Sequence, residues 1–349
     1  MPERGVERPM AHLFEPALVN DAFGDPGLYC DFRDERRAIL FDLGDITALP
    51  PRKLMRLTHA FVTHTHMDHF AGFDHFLRIV LGRKERIVLT GGPAFVDQVE
   101  HKLRAYTWNV VHRYEMPLEI VAREVRPDGT ACAARFASPT RFAREPVPGF
   151  ATEGDVLHDE ATFRVRGRFV DHEMPCLAYA VEEKAHVSVA PDRMRAMGIG
   201  PGAWLRELKQ AVLGGAPREQ PIEVRWRDRE GEHAQVHPVA SLERLILDVA
   251  PGRRVGYVTD LRYVPANVAQ LEALLSGVDL LFIESVFLEA DAAHGARKNH
   301  LTARQAGEIG RRLGARHLVP FHFSPRYEGR GEAVRGEALA AFAGHEAIP

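Results

Sequence analysis

The chain alternates short apolar runs with stretches in which apolar residues recur at helical spacing. Short runs that stop at glycine or polar residues predict β-strands at 38–41, 60–63, 86–90, 162–170, 176–181, 255–259, 278–283 and 317–321. Apolar spacing of three to four predicts helices from Asp68 to Val80, from Pro93 onward, over 204–212 and after Thr302, a good N-cap residue. Strands that alternate with helices predict an α/β layer architecture.

No proline- or serine-rich linker divides the chain, which predicts a single domain over residues 1–349. The stretch around 190–240 predicts an insertion, and its polar part, 216–240, has the composition of an irregular loop or an edge hairpin. No apolar run approaches the 18 residues of a membrane span, and the first ten residues lack the apolar segment of a signal peptide. We therefore expect a cytoplasmic protein that does not engage a membrane.

Histidine is abundant, with 18 copies among 349 residues, and it is the commonest metal ligand in proteins. The three cysteines, Cys30, Cys132 and Cys176, lie far apart, which argues against a disulfide framework and a cysteine-based zinc site. The net charge of −3 creates no global basic field toward nucleic acid or membranes.

Four potential metal ligands lie within six residues, directly after a predicted strand: His64, His66, Asp68 and His69. His64 and His66 share a face if the strand geometry continues, whereas the adjacent Asp68 and His69 diverge and suit a second metal. Imidazole and carboxylate ligands without thiolate favour Zn²⁺, with Mn²⁺ or Fe as substitutes. The alternative is a polar loop with coincidental histidines, and four ligands at this spacing argue against it.

The string HTHMDH at 64–69 matches the H-x-H-x-D-H signature of the metallo-β-lactamase fold hydrolases, and the chain resembles this superfamily. His172, Asp260 and His322 supply the later ligands in the superfamily's order. The residues around His172, His300 and His322 resemble those of the ribonuclease Z branch. The resemblance implies an α/β fold, a four-layer αβ/βα sandwich with two mixed β-sheets.

The same resemblance implies two Zn²⁺ ions, for which Mn²⁺ or Fe could substitute. One ion would be held by His64, His66 and His172, the other by Asp68, His69 and His322, and Asp260 would bridge them. A water between two cations is a strong nucleophile, and a cation pair suits the charge of a phosphodiester. Asp68 and His300 are the catalytic candidates.

His300 is expected to protonate the leaving oxygen or to contact a phosphate, and a surface histidine beside a helix cap is the alternative. Asp42 is expected to orient a ligand histidine from behind, and a plain turn aspartate is the alternative.

Four arginines are candidates for substrate binding: Arg164, Arg166, Arg168 and Arg326. The first three alternate with Phe163, Val165 and Phe169 along one predicted strand and lie close in sequence to His172. They form either a phosphate groove or a solvated sheet face. Arg326 lies near His322.

Two features of the ribonuclease Z branch are missing. Its P-x-K-x-R-N loop has no counterpart, since the first forty residues offer N-D-A-F-G-D-P at 20–26 instead, and its H-E-A-T motif is replaced by I-E-S-V at 283–286. These departures leave the predicted metal chemistry intact and weaken the expectation of tRNA recognition.

The leading hypothesis is a dinuclear zinc phosphodiesterase that resembles ribonuclease Z, with RNA 3′-end processing as one such activity and a homodimer as the family's usual state. The alternative is a hydrolase of another small-molecule phosphodiester, ester, thioester or lactone on the same fold. A non-catalytic scaffold is a third class, and such proteins usually lose ligands, whereas all seven are present here.

Overall fold

The computed structural model describes residues 12–32, 35–229 and 231–344, and the chain folds into two compact units. Of the described residues, the larger unit contains 14–157, 165–181 and 254–344, and the smaller unit contains 12–13, 158–164 and 182–253. The single domain with an insertion around 190–240 stays a prediction. The expectation about a signal peptide concerns residues 1–10, which lie outside the described ranges.

The described part of the chain contains eighteen strands. They are β1 Phe14–Leu18, β2 Leu28–Phe32, β3 Ala38–Phe41, β4 Leu57–Phe61, β5 Arg86–Gly91, β6 Glu119–Val125, β7 Ala131–Ala137, β8 Arg144–Val147, β9 Val156–Asp159, β10 Phe163–Asp171, β11 Pro175–Glu183, β12 Ala185–Val189, β13 Pro221–Arg227, β14 Glu232–Pro238, β15 Leu247–Pro251, β16 Arg254–Val258, β17 Leu280–Glu284 and β18 His317–Phe321.

The helices alternate with these strands. They are α1 Pro51–Leu54, α2 Met67–Phe70, α3 Phe73–Val80, α4 Phe95–Arg104, α5 Pro191–Ala196, α6 Trp204–Leu213, α7 Val239–Ile246, α8 Pro265–Leu275, α9 Ala292–Lys298, α10 Ala303–Arg312 and α11 Gly331–Ala343. Short 3₁₀ turns occupy Val111–Arg113, Ser138–Thr140, Glu289–Asp291 and Pro325–Tyr327.

Two large mixed sheets are built from these strands. One has eight strands in the order β1 to β8, with parallel pairs from β3 to β6 and antiparallel pairs toward both edges. The other has six strands in the order β18-β17-β16-β11-β10-β9, and β16, β17 and β18 are parallel. The carboxyl ends of parallel strands lie at one edge of a sheet, which is where α/β proteins usually place ligands.

Two apolar clusters in the larger unit cover these sheets. In the first, Leu40 of β3 packs with Phe73 of α3 and Val99 of α4. In the second, Leu281 of β17 packs with residues of α8, α10 and α11, among them Ile309. Amphipathic helices bury one apolar face in this way, so each cluster joins a sheet to its helices.

Aromatic rings from both sheets meet between them. The Phe41 ring lies 5.3 Å from that of Phe61 and 5.8 Å from that of Tyr257, and the Tyr257 ring lies 5.4 Å from that of Phe321. The Tyr179 hydroxyl donates to the backbone oxygen of Val62 at 2.7 Å. This layer fixes strands β3 and β4 against β16 and β18, whose carboxyl ends carry the candidate ligands.

The smaller unit has its own apolar cluster. Trp204 and Leu208 of α6 pack with Ile222 of β13 and Leu242 of α7. Strands β12 and β15 form one antiparallel pair, and β13 and β14 form another. The stretch at 216–240 therefore contains a hairpin, one of the two forms that its composition allowed.

Most predicted elements are confirmed. The strand at 38–41 and the strand at 317–321 have the predicted bounds, and the helix after Thr302 begins with a capping box, in which Gln305 N donates to Thr302 Oγ1 at 3.1 Å. The stretch from Asp68 to Val80 is two helices, α2 and α3, instead of one. Among the described residues, no helix is long and apolar enough to cross a membrane.

Helices α10 and α11 approach closely at Gly307, where an added Cβ would lie 2.2 Å from the backbone oxygen of Ala338 and 2.8 Å from Ala341 Cβ. We expect Gly307→Ala to lower the free energy of unfolding by about 1–3 kcal/mol, because the helices must separate. Gly336→Ala on α11 is the control, since nothing lies within 4 Å of its added Cβ. We expect it to be neutral or stabilising by up to about 1 kcal/mol. Urea denaturation of both variants measures the difference, and equal losses would contradict the close packing.

Candidate metal centre

The seven predicted ligands all lie in the larger unit, and the structure brings them together in two groups. The side-chain ligand atoms of His64, His66, His172 and Asp260 lie within 4.8 Å of one another, as do those of Asp68, His69 and His322. Each ligand segment follows the carboxyl end of a strand: β10 for His172, β16 for Asp260, β18 for His322, and β4 for His64, His66, Asp68 and His69. Convergence of strand ends therefore builds the cluster from distant parts of the sequence.

Asp260 belongs to the first group and also lies close to the second. Its Oδ2 is 3.5 Å from His64 Nε2 and 3.4 Å from His172 Nε2. Its Oδ1 is 3.5 Å from His69 Nε2 and 3.2 Å from His322 Nδ1. The two carboxylate oxygens thus face different groups, which is the arrangement that a bridging ligand requires.

The donor set fits divalent cations. His64 Nε2 and His69 Nε2 are buried and have no hydrogen-bond partner among the described residues. A buried nitrogen without a partner carries a free-energy penalty, which an ion would relieve. Both nitrogens point toward Asp260 and belong to residue types that zinc prefers, so these residues can hold a divalent cation.

Burial and neighbouring charge shift the pKa values of His64 and His69 in opposite directions. Burial lowers the pKa of His64 to about 2, which keeps this ring neutral. Burial acts in the same direction on His69, but the carboxylates of Asp260 and Asp42 outweigh it and raise its pKa to about 10. Binding of a cation must therefore displace a proton from His69.

Asp42 supports His69 from behind. Its Oδ2 lies 2.9 Å from His69 Nδ1 and accepts a hydrogen bond from the Tyr257 hydroxyl at 3.0 Å, and its Oδ1 accepts one from the Thr63 backbone N–H at 2.7 Å. Asp42 is fully buried and has a left-handed backbone, with φ of 59°. This is the contact expected of a carboxylate that orients a ligand histidine.

The turn after Asp42 packs against the turn that carries Asp68 and His69. The Leu43 N–H donates to the His69 backbone oxygen at 2.8 Å. A Cβ added at Gly44 would lie only 2.0 Å from the Asp68 backbone oxygen. Only glycine permits this approach, so the F-D-L-G string is part of the scaffold of the centre.

His300 adjoins both groups. Its ring centroid lies 5.0 Å from that of His172 and 5.7 Å from that of His322. Its Nδ1 lies 2.8 Å from Glu284 Oε2, and Glu284 is fully buried. Burial lowers the pKa of His300, but the carboxylate of Glu284 more than offsets this and the pKa is raised.

Sequence reasoning missed two residues that contact the predicted site. Glu284 is the first: its Oε1 accepts from Leu301 N at 2.9 Å, and its position in the I-E-S-V string was the available signal. Asn299 is the second: its backbone oxygen lies 2.9 Å from His172 Nδ1, and its side chain donates to Glu173 at 2.8 Å. Asn299 immediately precedes His300, and no pattern pointed to it.

Comparison with known proteins shows which family this chain resembles in sequence. A family model described as a beta-lactamase superfamily domain matches residues 220–323. Ribonuclease Z of Deinococcus radiodurans is 32% identical over 292 residues, which cover 83% of this chain and 83% of that protein. The chain belongs to the ribonuclease Z family. Ribonuclease Z of Treponema pallidum is 25% identical over 302 residues, covering 84% of this chain and 80% of that protein.

Solved structures show the same fold. Human tRNase Z, short form, has a TM-score of 0.53 at 20% identity, and the match covers 90% of this chain and 91% of the human one. The metallo-beta-lactamase fold protein YhfI from Bacillus subtilis has a TM-score of 0.52 at 14% identity, with coverage of 96% and 95%. The predicted metallo-β-lactamase-type α/β fold with two mixed sheets is confirmed. As a member of the ribonuclease Z family, the protein is a metal-dependent hydrolase.

A cavity of about 530 Å³ opens beside the cluster. It is lined by Phe23, Gly24, Asp25, Asp68, Val286, Phe287, His294, Lys298, His300, His322, Phe323, Ser324, Pro325 and Arg326. Three residues of the segment at 20–26, Phe23, Gly24 and Asp25, therefore contribute to the wall. Candidate metal ligands and cationic side chains line the same cavity.

The four candidate arginines lie in different surroundings. Arg326 lines this cavity and pairs with Asp291 at 3.2 Å. Arg166 and Arg168 both pair with Asp155, at 2.7 Å and 3.1 Å. Arg164 lies in the smaller unit and donates to Glu182 at 2.7 Å. Substrate binding by these arginines stays a prediction.

Replacement of Asp42 tests its support of the centre. We expect Asp42→Asn to weaken zinc binding by about 10–100-fold, because an amide supports His69 less well than a carboxylate does. Asp74→Asn is the control, since Asp74 also pairs through its carboxylate, with Lys102 at 2.8 Å, and is not a member of either ligand group. Competition with a chromogenic zinc chelator, on samples whose circular dichroism matches the wild type, gives both affinities. Equal affinities for the two variants would exclude this role.

Proposed function

We propose that the protein is a dinuclear zinc phosphodiesterase that acts on RNA, with 3′-end processing as its reaction. The observation that carries the proposal is the position of Asp260, whose two oxygens face two separate groups of ligands. Two cations at such a site act as a clamp for the attacking and leaving oxygens of a phosphodiester. The names of the relatives, ribonuclease Z and tRNase Z, support RNA as the substrate class.

The residues of the chain divide between the two ions in this proposal. One ion is assigned to His64, His66 and His172, the other to Asp68, His69 and His322, and Asp260 is shared. Zinc supplies an acidic bound water and charge stabilisation when it is present, and Mn²⁺ or Fe could replace it. Asp42 holds His69 and the Asn299 backbone holds His172, so each group has a fixed ring.

Asp68 and His300 are the proposed catalytic residues. Asp68 lines the cavity, and its side chain is 42% exposed, so its carboxylate can accept a hydrogen bond from an attacking water. His300 lines the same cavity, and the Glu284 carboxylate favours its protonated form. A protonated imidazole at this position can donate its proton to the leaving oxygen.

Arg326 is the proposed phosphate contact, because it lines the cavity with Asp68, His300 and His322. Arg164, Arg166 and Arg168 do not line this cavity. Their proposed part in a phosphate groove is therefore subordinate to that of Arg326. The proposal also includes a cytoplasmic homodimer, and light scattering of the purified protein measures the oligomeric state.

A hydrolase of another small-molecule phosphodiester, ester, thioester or lactone is the second candidate. Two observations favour it: the missing P-x-K-x-R-N loop and the net charge of −3, which gives little general attraction to a polyanion. The cavity of about 530 Å³ would suffice for a small substrate. Substrate panels separate the two candidates.

The proposed function predicts two zinc ions per chain and hydrolysis of phosphodiesters. Elemental analysis measures the metal content, and turnover is measured on bis-p-nitrophenyl phosphate, on a precursor tRNA and on lactone and thioester panels. Chelation should abolish phosphodiester turnover, and added zinc should restore it. Two bound zincs with turnover of neither phosphodiester would overturn the proposal, and turnover of a lactone or thioester alone would establish the second candidate.

If His300 is the general acid, its loss should lower kcat more for a substrate with a poor leaving group than for one with a good leaving group. We expect His300→Ala to lower kcat for RNA by roughly 10²–10⁴-fold, because the leaving ribose oxygen needs a proton. The effect on bis-p-nitrophenyl phosphate should be much smaller, because nitrophenolate leaves without one. His101→Ala, on the exposed side of α4, is the control. Equal losses on both substrates would mean that His300 maintains the centre and is not its acid.

A further inference from the structure

A second cavity lies on another side of His300. It has a volume of about 170 Å³ and is lined by Arg262, Tyr263, Val264, Ala296, Asn299, His300 and Gln305. The larger cavity described above is also lined by His300, so this imidazole forms a wall of both. A group at His300 therefore has open space on two sides.

Tyr263 lines the second cavity and also a third. The third cavity has a volume of about 370 Å³ and is lined by Tyr263, Val268, Glu308, Ile309, Arg311 and Arg312. The Tyr263 side chain is thus common to both, and we call the two cavities together the Tyr263 groove. Its lining residues follow β16, belong to α8, lie in or directly after α9, or belong to α10.

The Tyr263 ring is exposed but held in place. It is 45% exposed, and its hydroxyl donates to Glu308 Oε2 at 3.2 Å. An aromatic ring of this kind costs little conformational entropy when a planar group stacks on it. The anchoring carboxylate belongs to α10, so the ring position depends on a helix and not on a loop.

Arginine side chains accompany this ring along the groove. Arg262 is oriented by Asp171 at 3.2 Å, and Arg312 is oriented by Glu272, with an NH2–Oε2 distance of 3.2 Å. Arg311 lines the same cavity as Arg312. A guanidinium has five donors, so one carboxylate partner leaves donors for a phosphate. An aromatic ring between cationic side chains is the combination that binds single-stranded nucleic acid.

We propose that the Tyr263 groove binds the nucleotides on one side of the scissile phosphate, with a base stacked on the Tyr263 ring, while the larger cavity receives the other side. This inference rests on the proposed function. A phosphodiester within an RNA strand carries a nucleotide on each side of its phosphorus, and cavities on two sides of the proposed acid match that substrate. A small phosphodiester needs only one of them.

The test compares two substrates on zinc-loaded enzyme: bis-p-nitrophenyl phosphate, which has no base, and a twelve-nucleotide single-stranded RNA. We expect Tyr263→Ala to lower the ratio of kcat/KM for RNA to kcat/KM for the nitrophenyl diester by roughly 5- to 150-fold, mainly through KM. Tyr263→Phe keeps the ring and should keep most of the ratio. Tyr106→Ala is the matched control, since Tyr106 is 46% exposed and lines none of the three cavities.

Each outcome decides either the role of the Tyr263 groove or the proposed function. An unchanged ratio in Tyr263→Ala, or the same fall in Tyr263→Phe or in Tyr106→Ala, overturns the role of the groove. If the wild type hydrolyses the nitrophenyl diester but not the RNA, the groove does not bind an RNA strand, while the phosphodiesterase chemistry stands. If the wild type hydrolyses neither substrate, the proposed function itself fails.

Discussion

A buried carboxylate organises this centre. Asp42 is fully buried at the end of β3, where no water solvates its carboxylate, so it needs donors from the protein. These donors come from Thr63 beyond β4, from His69 in α2 and from Tyr257 in β16. The first two follow β4 of the eight-stranded sheet and the third lies in β16 of the six-stranded sheet, so a single side chain ties both sheets to the ring of a candidate ligand.

The geometry of the ligands follows from where their strands end. Asp42, Asp260 and His322 all have left-handed backbones, with φ of 59°, 54° and 58°. Each of them directly follows a strand or lies within two residues of its end, and a left-handed residue turns the chain sharply there. The side chain then points back across the edge of the sheet toward the cluster. Glycine would turn as easily but would offer no ligand.

Much of this could be predicted from the sequence, because the signals were local. The spacing of HTHMDH predicted four of the candidate ligands, and the apolar runs predicted eight of the eighteen strands in the described residues, within about three residues of their bounds. Contacts made across long separations left no such signal. Glu284 and His300 are 16 residues apart, and Asn299 and His172 are 127 apart, so their pairing depends on the tertiary fold alone. The alternating arginines of β10 were visible in the sequence, whereas their pairing with Asp155 was not.

The left-handed residues also have an energetic consequence. A non-glycine residue in this conformation costs about 1–3 kcal/mol, and three of them at one cluster hold strain that the surrounding fold must support. Any ion that binds only the folded arrangement would offset that strain and stabilise the whole larger unit by mass action. The supply of such an ion in the cell would then set how long the protein lasts, as well as how fast it works.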